Sequence, residues 1–300
     1  MNYLLTGACG FIGSHAFDEF IRRGHKVVVV DKLTYAGKLS NIDTTKCTFY
    51  KLDINESVVM REIVKIHKID VIVNFAAETH VDNSINNASD FVKTNVAGVL
   101  TLLDICRDNN IELVHLSTDE VYGPALLAPF DENAPLRPKN PYSATKASAD
   151  HLIFSYVNTY GIKYKIIRPS NNFGPRQHNE KFIPKIIDCV RSNRQIPVYG
   201  DGSQKRQWTY VKDTARAVYE ITTTCPQGVY NVGDDNIITN NDVVKSILAK
   251  SGRANDLVTY VEDRPGHDKM YWITSQKVKS FIDLTFTDFN IALKETVENT

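Results

Sequence analysis

The stretch "YLLTGACGFIGSH", residues 3–15, decides the fold. An apolar run, "YLLT", passes into glycines at 7, 10 and 13, and helical spacing takes over at 11–23. Glycines here permit a tight turn, close approach of backbone to a pyrophosphate and close helix packing. The helix N-terminus adds free N–H groups and a partial positive charge for phosphate. The spacing is G-x-x-G-x-x-G rather than G-x-G-x-x-G. Taken alone, Gly7, Gly10 and Gly13 fit a phosphate site and a plain strand-to-helix turn equally well. The second strand, "KVVVVD" (26–31), then ends in Asp31. A carboxylate there can accept from an adenosine ribose 2′-hydroxyl and repels a 2′-phosphate, favouring NAD over NADP; the alternative is a solvated strand-end acid. Asp53, after the third strand, could lie near the adenine.

The alternation continues outward. "TFYKL" (48–52), "DVIVNFA" (70–76), "IELVHLS" (111–117) and "YKIIR" (164–168) are short apolar runs, as strands covered on both faces require. Helical spacing at 56–68, 90–109 and 142–160 separates most of them. Strand and helix in alternation predict an α/β fold, a doubly wound parallel sheet of Rossmann type. After "RPSNNFGP" (168–175) the alternation breaks up, with turns at 199–204, 224–228 and 263–267 and helices near 180–193, 213–224 and 239–251. The expected division is a dinucleotide-binding domain over 1–170 and a smaller α+β substrate lobe over 171–300, with 207–225 packing back onto the first.

The 300 residues carry 35 basic and 35 acidic side chains, so no net charge draws nucleic acid or an anionic membrane. Five scattered cysteines read as reduced core thiols, and no histidine or cysteine cluster has the spacing of a metal site. No window is long and apolar enough for a membrane span, and residues 1–20 lack signal-peptide character; a cytoplasmic location is expected.

"PYSATKASAD" (141–150) places Tyr142 and Lys146 one turn apart on a helix. A tyrosine serves as a base at neutral pH only if its pKa falls from about 10 to near 7, about 4 kcal/mol of phenolate stabilisation. A lysine cation one turn away, with a positive nicotinamide ring, could supply it. By itself the pair also fits an exposed amphipathic face. "LSTDEVYG" (116–123) sets Asp119 and Glu120 side by side where a strand ends. They read either as solvated loop acids or, since ligands of open α/β sheets bind at strand carboxyl ends, as groups facing a site together with Thr118.

The combination resembles the extended short-chain dehydrogenase/reductases. "TGACGFIGSH", "DKLTYAG", "NFAAETHVDNSI", "LSTDEVYG", "PYSATKASAD", "RPSNNFGP", "EKFIPK", "YGDGSQKRQWTYVKD", "YNVG" and "DRPGHD", in that order along nearly the whole chain, are similar to the motifs of nucleotide-sugar 4,6-dehydratases acting on dTDP- or UDP-glucose. The resemblance implies oxidation of the sugar at C4 by NAD, loss of water across C5 and C6, and reduction at C6, giving a 4-keto-6-deoxyhexose. Tyr142 would be the C4 base with Lys146 and Thr118, Glu120 the C5 base, and Asp119, protonated, the acid for the departing hydroxyl. NAD would meet Gly7, Gly10, Phe11, Ile12, Gly13, Asp31, Lys32, Thr34, Asp53, Ile54, Ala76, Ala77, Thr94, Ser117, Tyr142 and Lys146.

For the nucleotide sugar, the resemblance implies His80, Asn171, Glu180, Lys181 and Phe182 near sugar and diphosphate, and Pro197 and Tyr199 at the base. Arg206, Asn231, Arg264 and His267 would surround diphosphate and base. It also implies a homodimer through helices 90–109 and 142–160. Asn83, Gln207, Lys269 and Met270 depart from the family pattern where substrate could be read, leaving thymidine against uridine open. A 4-epimerase or decarboxylase on the same scaffold would not need Asp119. A non-catalytic NAD-binding sensor would not need Tyr142 and Lys146.

Overall fold

The computed structural model describes residues 1–253, 257–263 and 268–300. Its centre is a parallel sheet of β1 (Asn2–Thr6), β2 (Lys26–Asp31), β3 (Thr48–Lys51), β4 (Val71–Asn74), β5 (Glu112–Leu116), β6 (Tyr164–Pro169) and a seventh strand from much later, Gly228–Val232. With β7 (Asn171–Phe173), β8 (Ile196–Tyr199) and β9 (Lys205–Tyr210) intervening in sequence, that strand is β10, and the sheet order is β10-β6-β5-β4-β1-β2-β3. Strand order reverses between β1 and β4, so their carboxyl ends, Thr6 and Asn74, open the crevice where such sheets bind ligands.

Each strand alternates its side chains between two covered faces. Tyr3, Leu5, Val27, Val29, Val71 and Val73 join a core with Phe17 and Phe20 of the helix Phe11–Arg22 and with Ala217, Val218 and Ile221 of the helix Val211–Thr224. Leu4, Val28, Val30 and Ile72 face the other way, onto Met60, Ile63, Leu102, Leu103, Ala149 and Ile153. Burial on both sides explains the uninterrupted apolar runs.

Two features depart from the sequence reading. The sheet recruits β10 as well as the returning helix, so the first layer system extends beyond 207–225; β10 pairs with β6 from Gly228↔Lys165 to Val232↔Pro169. The stretch expected as one helix over 90–109 is α-helical at Ser89–Phe91 and Gly98–Asn109, with a wider π turn through Val92–Ala97. That turn points Asn95 fully inward. At Gly98 a Cβ would lie 2.5 Å from the end of the Ile54 side chain, which would have to turn aside for any larger residue.

The smaller lobe is built from β7, β9 and β11 (Ile237–Thr239) and from the pair β8 and β12 (Val258–Val261). Ile183, Ile186, Ile187, Trp208, Val243, Val244, Ile247 and Leu293 form its core. Within the large sheet layer, Arg168 at the end of β6 is buried against Asp150, with Nη2 and Oδ2 2.9 Å apart, and donates to the Tyr122 hydroxyl at 2.7 Å. Tyr122 in turn donates to Asn231 at 2.8 Å. All five cysteines are free thiols, and among the described residues no helix is long and apolar enough to cross a membrane.

Candidate active site

One cleft runs from the glycine loop, over the carboxyl ends of β1, β4 and β5, to the mouth of the smaller lobe. At its near end Gly7 adopts φ +70°, and a Cβ there would meet the Ala76 backbone nitrogen at 2.5 Å. A Cβ at Gly13 would fall on the Gly7 carbonyl and 2.9 Å from Ala8 Cα. Gly10 caps the helix Phe11–Arg22 without a side chain, and no acidic residue stands in its first turn. The open amides and the positive end of the helix dipole are therefore available to an anion. This cradle fits a dinucleotide pyrophosphate.

Asp31 lines the cleft and holds the loop as well. Its Oδ2 accepts from the Cys9 amide at 2.9 Å and its Oδ1 from the Leu33 amide at 2.8 Å. Burial pushes its pKa up against these bonds. Lys32 pairs with Asp53 at 2.8 Å, and Asp53 also accepts from the backbone and side-chain nitrogens of Asn55. Phe11, Ile12, Thr34, Ile54, Ala76, Ala77, Thr94 and Ser117 line the same wall. The loop at Glu78 is tied down by Asn95, which accepts from the Glu78 amide at 2.9 Å and donates to its carbonyl and to Thr145 Oγ1.

At the far end, a single 3₁₀ turn, Asp119–Tyr122, follows β5, and Thr118 caps it by accepting from the Glu120 amide at 3.3 Å. This turn sends consecutive carboxylates in different directions. Asp119 is 2% exposed, and its Oδ1 accepts from Thr118 Oγ1 at 3.3 Å. Burial first, then the neighbouring Glu120 charge, pushes its pKa up to about 8, with Arg206 pulling the other way. Burial thus favours the protonated form of Asp119 at neutral pH. Glu120 stays partly exposed; its Oε2 takes the Asn140 amide at 3.3 Å and lies 3.5 Å from the Tyr271 hydroxyl.

Tyr142 sits in the first turn of the helix Pro141–Tyr160, which begins with an Asn140–Ser143 capping box and proline at its start. The Tyr142 phenol faces the cleft that Lys146 also lines. Burial, then Glu120 and Asp119, hold it above its ordinary value, opposed by a hydrogen bond from Thr118. Lys146 is directed elsewhere: Nζ donates to the Leu116 carbonyl at 2.7 Å and lies 3.2 Å from His115 Nε2. Burial lowers its pKa to about 8.

Behind Lys146 runs a buried chain. Asn74 Oδ1 accepts from Thr6 Oγ1 at 2.5 Å and from the Ala76 amide at 3.2 Å, so its Nδ2 faces His115 Nδ1 at 3.0 Å. On this assignment Nδ1 is the acceptor and Nε2 carries the imidazole proton. Burial and Lys146 keep His115 neutral. An N–H facing Nζ favours the amine over the ammonium, in the same sense as burial.

Of the residues expected at the substrate, Asn171, Glu180 and Lys181 line the cleft. Lys181 Nζ donates to the Thr79 carbonyl at 2.8 Å, and His80 Nε2 stands 4.0 Å from Glu180, just outside the lining. Phe182 instead stacks on Trp208 in the lobe core. Pro197 and Tyr199 lie on β8, away from the cleft lining, and Arg206 is buried beneath the ring of Tyr271, its guanidinium 4.6 Å from the centroid. Asn231 requires correction. It is fully buried on the edge strand β10, with its side chain bonded to Tyr122 and the Phe130 carbonyl, because the segment around Phe130 and Glu132 covers it. Arg264 and His267 lie outside the described residues.

Asn74, Asn95, Asn140, Gln177, His115 and His178 went unread, although a polar residue inside "VIVNF" and another inside "ELVHL" are visible signals. No group of three or more metal-ligating side chains occurs among the described residues.

The family model described as NAD dependent epimerase/dehydratase family matches residues 3–233. The Haloferax volcanii low-salt glycan biosynthesis protein Agl12 is 44% identical over 287 residues, covering 93% of this chain and 92% of that protein. A Neisseria gonorrhoeae dTDP-glucose 4,6-dehydratase is 38% identical over 327 residues, covering 99% of this chain and 94% of that protein. The crystal structure of DesIV, a dTDP-glucose 4,6-dehydratase from Streptomyces venezuelae with NAD and TYD bound, superposes with a TM-score of 0.95 at 36% identity, covering 99% and 96% of the two chains. With a glycine cradle, a strand-end Asp31 and a Tyr142–Lys146 helix in one cleft, and a family match across most of its length, this chain belongs to the NAD dependent epimerase/dehydratase family.

Proposed function

We propose that the protein is a nucleotide-sugar 4,6-dehydratase converting a dTDP- or UDP-glucose to its 4-keto-6-deoxy derivative, and that the sites act as follows. The glycine loop and Asp31 would hold NAD, whose nicotinamide would supply the hydride acceptor for C4 and the hydride source for C6. Tyr142 takes the C4 hydroxyl proton, with the Thr118 hydroxyl beside it. Its phenol is held high by burial and Glu120, so a positive charge next to it is needed for this step. Glu120 then takes the C5 hydrogen, made acidic by the C4 ketone. Asp119 protonates the C6 hydroxyl as it leaves as water. Asn171, Glu180 and Lys181 form the wall nearest the sugar and diphosphate.

One contrast carries this reading: Asp119 and Glu120 are adjacent, yet burial pushes the pKa of the first up to about 8 while the second stays partly exposed. Elimination needs an acid and a base at once, and two environments on one turn supply them. An epimerase has no use for the buried acid. The names of the Neisseria and Streptomyces relatives favour the thymidine nucleotide.

The test is mass spectrometry of the product after separate incubations with dTDP-glucose and UDP-glucose in deuterated water. Loss of water with a deuteron gained at C5 supports the reading and identifies the nucleotide; unchanged mass with both would turn it toward epimerisation or binding. A homodimer belongs to the same reading, since Val92 and Leu100 remain exposed on the outer helices; sedimentation at the monomer mass at micromolar concentration would exclude it.

A further inference from the structure

Behind the acid pair lies a group that the proposed reaction does not use. The segment carrying Tyr271 is fixed from both lobes by backbone bonds: the Ala125 amide donates to the Met270 carbonyl at 3.0 Å, and the Lys205 amide to the Lys269 carbonyl at 2.8 Å. The Tyr271 ring is 3% exposed and lies against the Arg206 guanidinium. Its hydroxyl donates to Asp268 Oδ2 at 2.5 Å and stands 3.5 Å from Glu120 Oε2, where the Asn140 amide also converges.

A phenol has one proton, and the shorter contact claims it. With that proton directed at Asp268, the phenolic oxygen turns a lone pair toward Glu120. While Glu120 is a carboxylate the two oxygens merely face each other; once Glu120 holds a proton, the same geometry becomes a hydrogen bond. Burial, then Glu120 and Asp268, keep the Tyr271 phenol well above its ordinary range, so it remains a neutral phenol.

The geometry points to Tyr271, locked by Asp268 and Arg206, as a positioning residue for Glu120 that holds its carboxyl and accepts a hydrogen bond from it after the C5 proton has been taken. This rests on the proposed reaction. The C5–H bond breaks, its proton goes to Glu120, and its electron pair forms the C5–C6 double bond as the C6 hydroxyl leaves with the Asp119 proton. Tyr271 gains and loses no proton overall; it passes polarisation on to Asp268.

The test compares Tyr271→Phe and Asp268→Asn with the wild-type enzyme in single turnovers. Two quantities are followed, the near-ultraviolet absorbance of reduced nicotinamide and deuterium uptake at C5 of the keto product. Loss of the bond should slow C5 exchange and water loss by about tenfold, as for one hydrogen bond to a charge-developing group. C4 oxidation should proceed, so reduced nicotinamide accumulates where the wild type shows little. Asp268→Asn retains volume and guards against a folding defect, read from melting temperature. Unchanged partition between oxidation and elimination in both variants overturns the inference, as does equal loss of both steps. A wild-type enzyme that releases no water would overturn the proposed reaction itself, a distinct result.

Discussion

Asp119→Asn separates the energetic cost of the buried acid from its use. In the unfolded chain this carboxyl titrates at its ordinary 3.8, whereas the fold holds it protonated to about 8. Between those values the native state binds a proton that the unfolded chain does not, so stability falls as pH rises through that window. At pH 7 the cost is about 4 kcal/mol, from about 3 pH units at 1.36 kcal/mol each. Asparagine removes the titration but places an amide NH₂ where Oδ2 has no partner, a penalty of about 1–3 kcal/mol that does not vary with pH. The clean quantity is therefore the pH dependence. The stability of Asp119→Asn relative to wild type should rise by about 3 kcal/mol between pH 5 and pH 7, measured by urea unfolding at both. Dehydration should fall by about 10²–10⁴-fold while C4 oxidation survives, and the wild-type rate should decline above about pH 8 as Asp119 ionises. Parallel stability curves for the two proteins would refute the claim that this acid is held neutral by burial.

Two further outcomes follow from the packing. Gly13→Ala drives a methyl into the Gly7 carbonyl and Ala8 backbone, neither of which can move aside, so the purified variant should carry little bound nicotinamide and melt several degrees lower. Arg168→Met leaves Asp150 buried without its partner and should lose about 3–5 kcal/mol in denaturant unfolding; pairing it with Asp150→Asn should recover much of that.

What could be read in the sequence was what depends on near neighbours. Strands β1, β2, β4, β5 and β6 announced themselves because burial on both faces makes each an apolar run, and the glycine loop and Asp31 follow from fixed offsets within one strand–helix–strand unit. What could not be read depends on distant partners. "GVYNV" is too short to declare its sheet, and only its pairing with β6 reveals that Asn231 is sealed inside. The π turn at 92–97 is invisible to periodicity, since it shifts register to aim Asn95 at Glu78 and Thr145. Spacing put Tyr142 and Lys146 on one helix face, but not the Leu116 carbonyl and His115 ring that actually engage the lysine. Asp31 was read for a ligand, and its hold on the Cys9 and Leu33 amides was missed, because that bond exists only once the loop has folded.

The placement of the acid pair explains why one short turn can serve both roles. β5 ends at Leu116 within the sheet, so the residues immediately after it lie at the rim between core and cleft. A 3₁₀ turn advances about 120° per residue, and at such a rim that rotation is enough to put one side chain into protein and the next toward the cleft. The difference in proton affinity then needs no special partner for Asp119; removal from water provides it, and the Glu120 charge adds to it. The same rotation brings Glu120 to Tyr271 and Asn140, which arrive from the smaller lobe and from the start of the helix Pro141–Tyr160. In the proposed reaction acid and base are thus set by the sheet, whereas the geometry of the base also depends on how the smaller lobe packs against it. A substitution that loosens the lobe contact at Lys205–Met270 should therefore slow elimination before it slows oxidation.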